Sequence, residues 1–85
     1  YEQAFVVGAE HGLHARPAGQ FVTLAAEYKS KIQVSRDDEW VNGDSVLSLL
    51  SLAASPGTTL RIRAVGVDAE DAVRRLGLLI EGRGV

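Results

Sequence analysis

The chain reads as α+β, an open-faced β-sandwich of order β-α-β-β-α-β-α, with a four-stranded antiparallel sheet and three helices on one of its faces. Three observations predict it. Residues 58–65 alternate, with Leu60, Ile62 and Ala64 set against Arg61 and Arg63, as in a strand with one wet face. Two longer segments carry a single apolar stripe at helical spacing: Ala18, Phe21, Val22, Ala25 and Tyr28, then Ala69, Ala72, Val73, Leu76, Leu79 and Ile80. Asp37-Asp38 has the composition of a tight hairpin turn between two short strands. One-sided strands and one-sided helices bury their apolar faces against each other in two layers.

In chain order, residues 3–8 form the first strand, with Phe5 and Val7 on one face. The loop of residues 9–16 leads into a helix starting at about Pro17 and running to Tyr28, because proline is tolerated only in a first turn. Residues 31–35 form the second strand, and Trp40 and Val41 the third. Asn42-Gly43-Asp44-Ser45 combines a turn with a helix cap, Ser45 being either the N-cap or the residue behind an Asp44 cap. The second helix covers residues 46–53 and is stopped by Ser55-Pro56-Gly57. After the strand of residues 58–65, Asp68 is an N-cap for the last helix and Gly82 its C′ residue.

Eighty-five residues make one domain, spanning 1–85, with room for one modest core. The absence of cysteine excludes disulfides, thiol redox chemistry and thiolate metal sites, and fits a cytoplasmic protein. No membrane span and no signal peptide are visible. A net charge of −2 argues against nucleic acid as a partner, so Arg61, Arg63, Arg74 and Arg75 read as solvated faces and Trp40 as strand packing. No cofactor is expected. His11 and His14 have no further ligand of obvious spacing, so no metal is expected, and His11 reads as a loop histidine.

The chemistry concentrates in residues 10–19, where a histidine, an arginine and a helix-starting proline crowd together at His14, Arg16 and Pro17. A helix mouth offers backbone N–H groups without partners and the positive end of the macrodipole, which together attract anions. The helix mouth and Arg16 both disfavour imidazolium, leaving His14 as a neutral nucleophile. The same groups stabilise phosphoryl oxygens once they arrive. Phosphoryl transfer is mostly positioning and charge neutralisation, so little other machinery is needed.

Gly12-Leu13-His14-Ala15-Arg16-Pro17-Ala18 resembles the active-site motif of HPr, the histidine-containing phosphocarrier family of the bacterial phosphotransferase system. The resemblance extends over essentially the whole chain, through the Asn42-Gly43-Asp44-Ser45 cap and the leucine-rich segment after it. It implies that His14 is phosphorylated on Nδ1 by enzyme I, using phosphoenolpyruvate, and passes the group to a IIA component or domain. Such a chain is a covalent relay, expected to be monomeric, rather than a stand-alone enzyme. Arg16 matches the family's phosphate-stabilising arginine, while Pro17 and Ala18 match its helix start. With Ala15 these residues line the expected phosphate site.

Ser45 matches a serine that a dedicated HPr kinase/phosphorylase modifies in some members, although Asp44 stands where sugar-system members often carry lysine. Val46, Leu47, Leu49, Leu50, Leu52 and Ala53 are too many apolar residues for one buried face of a short helix. Leu47 and Leu50, with Val46 and with Ala15, Gly19 and Gln20 of the first helix, match the surface on which HPr meets its partners. The alternative is a regulatory HPr-like module, nitrogen-related or switched at Ser45, that binds partner proteins through the same face.

Overall fold

The computed structural model describes residues 1–8 and 15–82. Strands β1 (Glu2–Val6), β2 (Lys31–Arg36), β3 (Glu39–Asn42) and β4 (Thr59–Val65) form one antiparallel sheet in the order β1-β4-β2-β3. Helices α1 (Ala15–Ala25), α2 (Val46–Leu50) and α3 (Ala69–Glu81) complete the expected β-α-β-β-α-β-α order. The alternation that predicted β4 is realised: Leu60, Ile62 and Ala64 are fully buried. Register places Val34 beside Ile62, and Phe5 beside Leu60. Phe21 of α1, Leu49 of α2, and Val73 and Leu76 of α3 close the core over them. Helix α3 lies so close to β1 that a Cβ on Gly77 would overlap the Phe5 ring.

Element ends depart from expectation where local hydrogen bonding decides them. Helix α1 begins at Ala15 rather than Pro17, which makes Pro17 its third residue. Proline is tolerated there because first-turn N–H groups have no acceptor within the helix. The α pattern of α1 stops at Ala25, and the stripe continues to Tyr28 in a tighter turn. There Glu27 N–H donates to Leu24 and Tyr28 N–H to Ala25, three residues back. Helix α2 has five residues rather than eight. Leu52 and Ala53 again bond three residues back, and Ala53 then turns left-handed at φ 51°.

Strand β1 ends at Val6 rather than Gly8. Val7 still exchanges bonds with the turn before β4, its N–H donating to Thr58 O (2.9 Å) and its carbonyl accepting from Gly57 N–H (3.0 Å). Asp68 stands at the N-cap of α3, yet its carboxylate does not cap the helix. It reaches across to accept from Lys29 N–H (2.9 Å), Ser30 N–H (3.0 Å) and Ser30 Oγ (2.5 Å). Gly82 closes α3 at φ 77°, as its position predicted.

The outer sheet face is less solvated than its arginines implied. The Arg63 guanidinium stacks 3.9 Å from the centroid of the Trp40 ring and donates to Gln33 Oε1 (2.8 Å), which leaves it half-buried. Arg61 pairs with Glu2. Between Trp40 and Arg61 in register, Ser35 has no exposed surface, and its Oγ donates to Asp37 O (2.8 Å). Trp40 is therefore packed, but by arginines on the wet face instead of by the core.

Candidate functional site

His14 and His11 lie outside the described residues, and the chain on either side of them is anchored. On the N-terminal side, Val7 is held by the turn before β4, and Gly8 N–H donates to Ile80 O (3.1 Å) near the end of α3. On the C-terminal side, the chain enters α1 at Ala15. Arg16 is the second residue of α1, inside the first turn and exposed. No acidic residue occupies that turn, and no described carboxylate pairs with the guanidinium. The positive end of an eleven-residue helix thus carries an arginine that no described carboxylate neutralises.

The four helix-start residues expected around a phosphate contribute differently. Ala15 and Arg16 have first-turn N–H groups, whereas Pro17 has none to give. Ala18 is fully buried, so its side chain serves the core. It seats α1 in the core and so fixes the direction of the first turn.

The expected apolar surface is narrower than the sequence implied. Leu47 is 79% exposed, the only residue of α2 that is open rather than half-buried or buried. Val46 and Leu50 are half-buried against the core, and Leu49 is enclosed in it. On α1, Gln20 is exposed and Gly19 half-buried, and a Cβ on Gly19 would meet nothing within 4 Å. Of these residues Leu47 and Gln20 are exposed, and Val46, Leu50 and Gly19 are half-buried.

Ser45 is the N-cap of α2, at φ −130° and ψ 122°, and its Oγ accepts from Ser48 N–H (3.2 Å). Its structural reading is therefore satisfied in full. Asp44 beside it is exposed.

Sequence reasoning passed over two residues that hold this region. Arg36 donates from Nη1 to Leu52 O (3.0 Å) and Ala53 O (2.8 Å), tying β2 to the exit of α2. Its signal was parity, since Arg36 falls on the inward side after Ile32 and Val34, where a charge needs a polar partner. Gly8 is the other, and strand composition offers no signal for it. Among the described residues no group of three or more His, Cys, Asp or Glu could hold a metal, and no helix is long and apolar enough to cross a membrane.

Around the α1–β2 turn two described groups are perturbed. The Ser30 hydroxyl bond, followed by the Lys29 N–H, holds the Asp68 carboxyl below its ordinary value. Desolvation, then a bond with Asp71, raises the Tyr28 hydroxyl, whose oxygen accepts from Arg75 Nη1 (2.9 Å).

Comparison with known proteins agrees with this fold. The family model described as the PTS HPr component phosphorylation site matches residues 1–82. Phosphocarrier protein HPr of Neisseria meningitidis serogroup A is 41% identical over 71 residues, covering 84% of this chain and 80% of the relative. The HPr-like protein Crh of Bacillus subtilis is 35% identical over 80 residues, covering 94% of each. The crystal structure of HPr-C-His from Thermoanaerobacter tengcongensis superposes with a TM-score of 0.88 at 35% identity, covering 100% of this chain and 99% of that one.

Proposed function

Because the chain belongs to the HPr phosphocarrier family of the phosphotransferase system, we propose that it relays a phosphoryl group through His14. In this reading Nδ1 of neutral His14 attacks the phosphorus presented by phospho-enzyme I. The bond from phosphorus to the donor breaks as the phosphorus–nitrogen bond forms. A second transfer passes the group to a IIA component and returns the imidazole. No other chemistry is asked of the protein, and in this reading it acts as a cytoplasmic monomer that meets two partners in turn.

The observation that carries the reading is the first turn of α1. Arg16 is exposed in that turn, which holds no acidic residue, two positions along the sequence from His14, and the Ala15 and Arg16 N–H groups belong to the same helix end. In this reading the Arg16 guanidinium and these backbone donors neutralise the charge of the three phosphoryl oxygens during transfer. Leu47, Leu50 and Gln20 supply a surface on which donor and acceptor dock alternately.

Incubation with enzyme I and radiolabelled phosphoenolpyruvate tests the relay. The protein is expected to acquire one acid-labile phosphate, and His14→Ala to acquire none. Labelling of that variant at the parental rate would sink the assignment. The regulatory alternative is supported by the likeness to Crh and uses the same surface. It predicts a partner whose binding survives His14→Ala and fails in Leu47→Glu.

A further inference from the structure

The helices cover one side of the sheet, and the other side carries its own pattern of charge. Register sets Arg61 and Arg63 of β4 beside Ser35 and Gln33 of β2, with Trp40 of β3 beyond. Lys31 takes the next outward position of β2, opposite Val65, which is 70% exposed. Glu2 of β1 is the one acidic residue among the outward-facing strand positions. Three cations and one anion thus share this side, in a chain whose net charge is −2. Positive charge is segregated onto the side that α1 and α2 leave uncovered.

The three cations are not equally provided for. The Glu2 carboxylate accepts from Arg61 Nε at 2.9 Å and from Arg61 Nη2, so the edge of one guanidinium already receives a carboxylate here. Arg63 has no such partner. Its guanidinium lies 3.9 Å from the centroid of the Trp40 ring and donates from Nη2 to Gln33 Oε1 (2.8 Å). Ring and amide together fix its plane, so little further ordering is needed for it to accept a planar anion. No described residue forms an ion pair with Arg63 or Lys31.

Alternate residues of a strand stand about 7 Å apart. Arg61, Arg63 and the Lys31–Val65 pair therefore place a cation at three successive levels along β4. An extended chain with carboxylates at every second residue repeats at the same interval. We propose that this side of the sheet is a docking surface for an extended acidic segment of a partner protein, received chiefly by Arg63 and Lys31. Complementary charge selects the partner, and the fixed guanidinium sets its register. Nucleic acid suits the surface less, because Arg63 already covers a face of the Trp40 ring on which a base would stack. The negative charge of the rest of the chain also opposes so dense a polyanion. The surface lies across the sheet from Arg16 and Leu47, and the proposal does not depend on the carrier reading.

The test uses the full chain and two short peptides of identical composition. One alternates glutamate with threonine, and the other holds its glutamates in a single block. Binding is followed at low ionic strength by amide NMR shifts and by the emission of Trp40, the sole tryptophan. The alternating peptide is expected to shift the amides of β4 and to bind about fivefold more tightly than the block peptide. Arg63→Gln should weaken it about fivefold, and Lys31→Gln by a smaller factor. Arg63→Lys should recover only part of the loss, since it keeps the charge without the planar fork. Arg74→Gln alters net charge equally, but on exposed α3, and should leave the affinity unchanged.

No binding of the alternating peptide, or equal affinity for the two peptides, would overturn the proposal. Unchanged affinity in both Arg63→Gln and Lys31→Gln would do the same. Tighter binding of an oligouridylate, or of phosphatidylglycerol vesicles, to these residues would overturn the assignment to a protein segment. None of these measurements involves phosphoryl transfer, so they stand apart from the test of the carrier reading.

Discussion

Where β4 turns into α3, the chain bonds to itself. The Asp68 carboxylate takes three bonds from Lys29 and Ser30, Arg75 reaches the Tyr28 hydroxyl, and Gly66 lies on Ser30 without room for a Cβ. Around the start of α1 the same kinds of group are left open. Arg16 has no described acidic partner, Leu47 projects into solvent, and Gly19 has space above it. The difference lies in where the partners are to be found. At the closed end they are other parts of the chain, and their removal weakens the fold. At the open end, on the proposed carrier reading, they belong to other molecules, so removal should weaken encounters and transfer while the fold stands. Gly8 and Arg36 mark the join, where internal bonds steer elements whose far sides face outward.

Substitutions that separate the two ends test this division. The largest effect is expected from Arg16→Ala, with phosphoryl uptake reduced by about 10²–10³-fold, the usual result of removing a preorganised charge-stabilising donor. Its melting temperature should stay close to the parental value, because the side chain is exposed and makes no described ion pair. Rapid-quench kinetics and a thermal melt, run together, check both halves. Leu47→Glu comes next. It should raise KM for phospho-enzyme I about tenfold while changing stability by less than about 0.5 kcal/mol. A large loss of stability there would show that the open end is held together from within after all.

At the closed end the expected signature is a pH dependence. The Asp68 carboxyl titrates below its ordinary value of 3.8, chiefly through the Ser30 hydroxyl bond. A carboxyl lowered on folding stabilises the fold above its unfolded value, and the contribution is lost as pH falls through the folded value. Parental stability should therefore drop with added steepness as the solution is acidified below about pH 3.8. Asp68→Ala should be less stable at neutral pH and lack that added steepness, which urea unfolding at a series of pH values would reveal. The smallest effect belongs to Gly19→Ala, expected to stabilise the fold by about 1 kcal/mol, since helix propensity improves and the added Cβ meets nothing.

Much of this was legible in the sequence, because burial writes periodicity into a chain. Leu60, Ile62 and Ala64 gave β4, and the stripe from Ala69 to Ile80 gave α3 with its terminal Gly82. Element ends were less legible because they depend on single hydrogen bonds. Pro17 marks the first turn of α1 without saying which of its positions it occupies. Asp68 has the composition of a cap, yet its carboxylate is drawn away by a turn almost forty residues distant in sequence. At the site, Arg16 and Leu47 were readable from residue type and spacing. The close approach of Gly8 to the end of α3 was not, because it is a tertiary distance with no local trace.

The central claim is that a single imidazole nitrogen carries the group, and one spectrum addresses it. The protein labelled with ¹⁵N-histidine, treated with enzyme I and phosphoenolpyruvate, would be examined by ³¹P–¹⁵N correlation NMR. The account predicts phosphorus coupled to Nδ1 of His14 and to no nitrogen of His11. Phosphorus on His11, on Nε2 of His14, or on no histidine at all would contradict it.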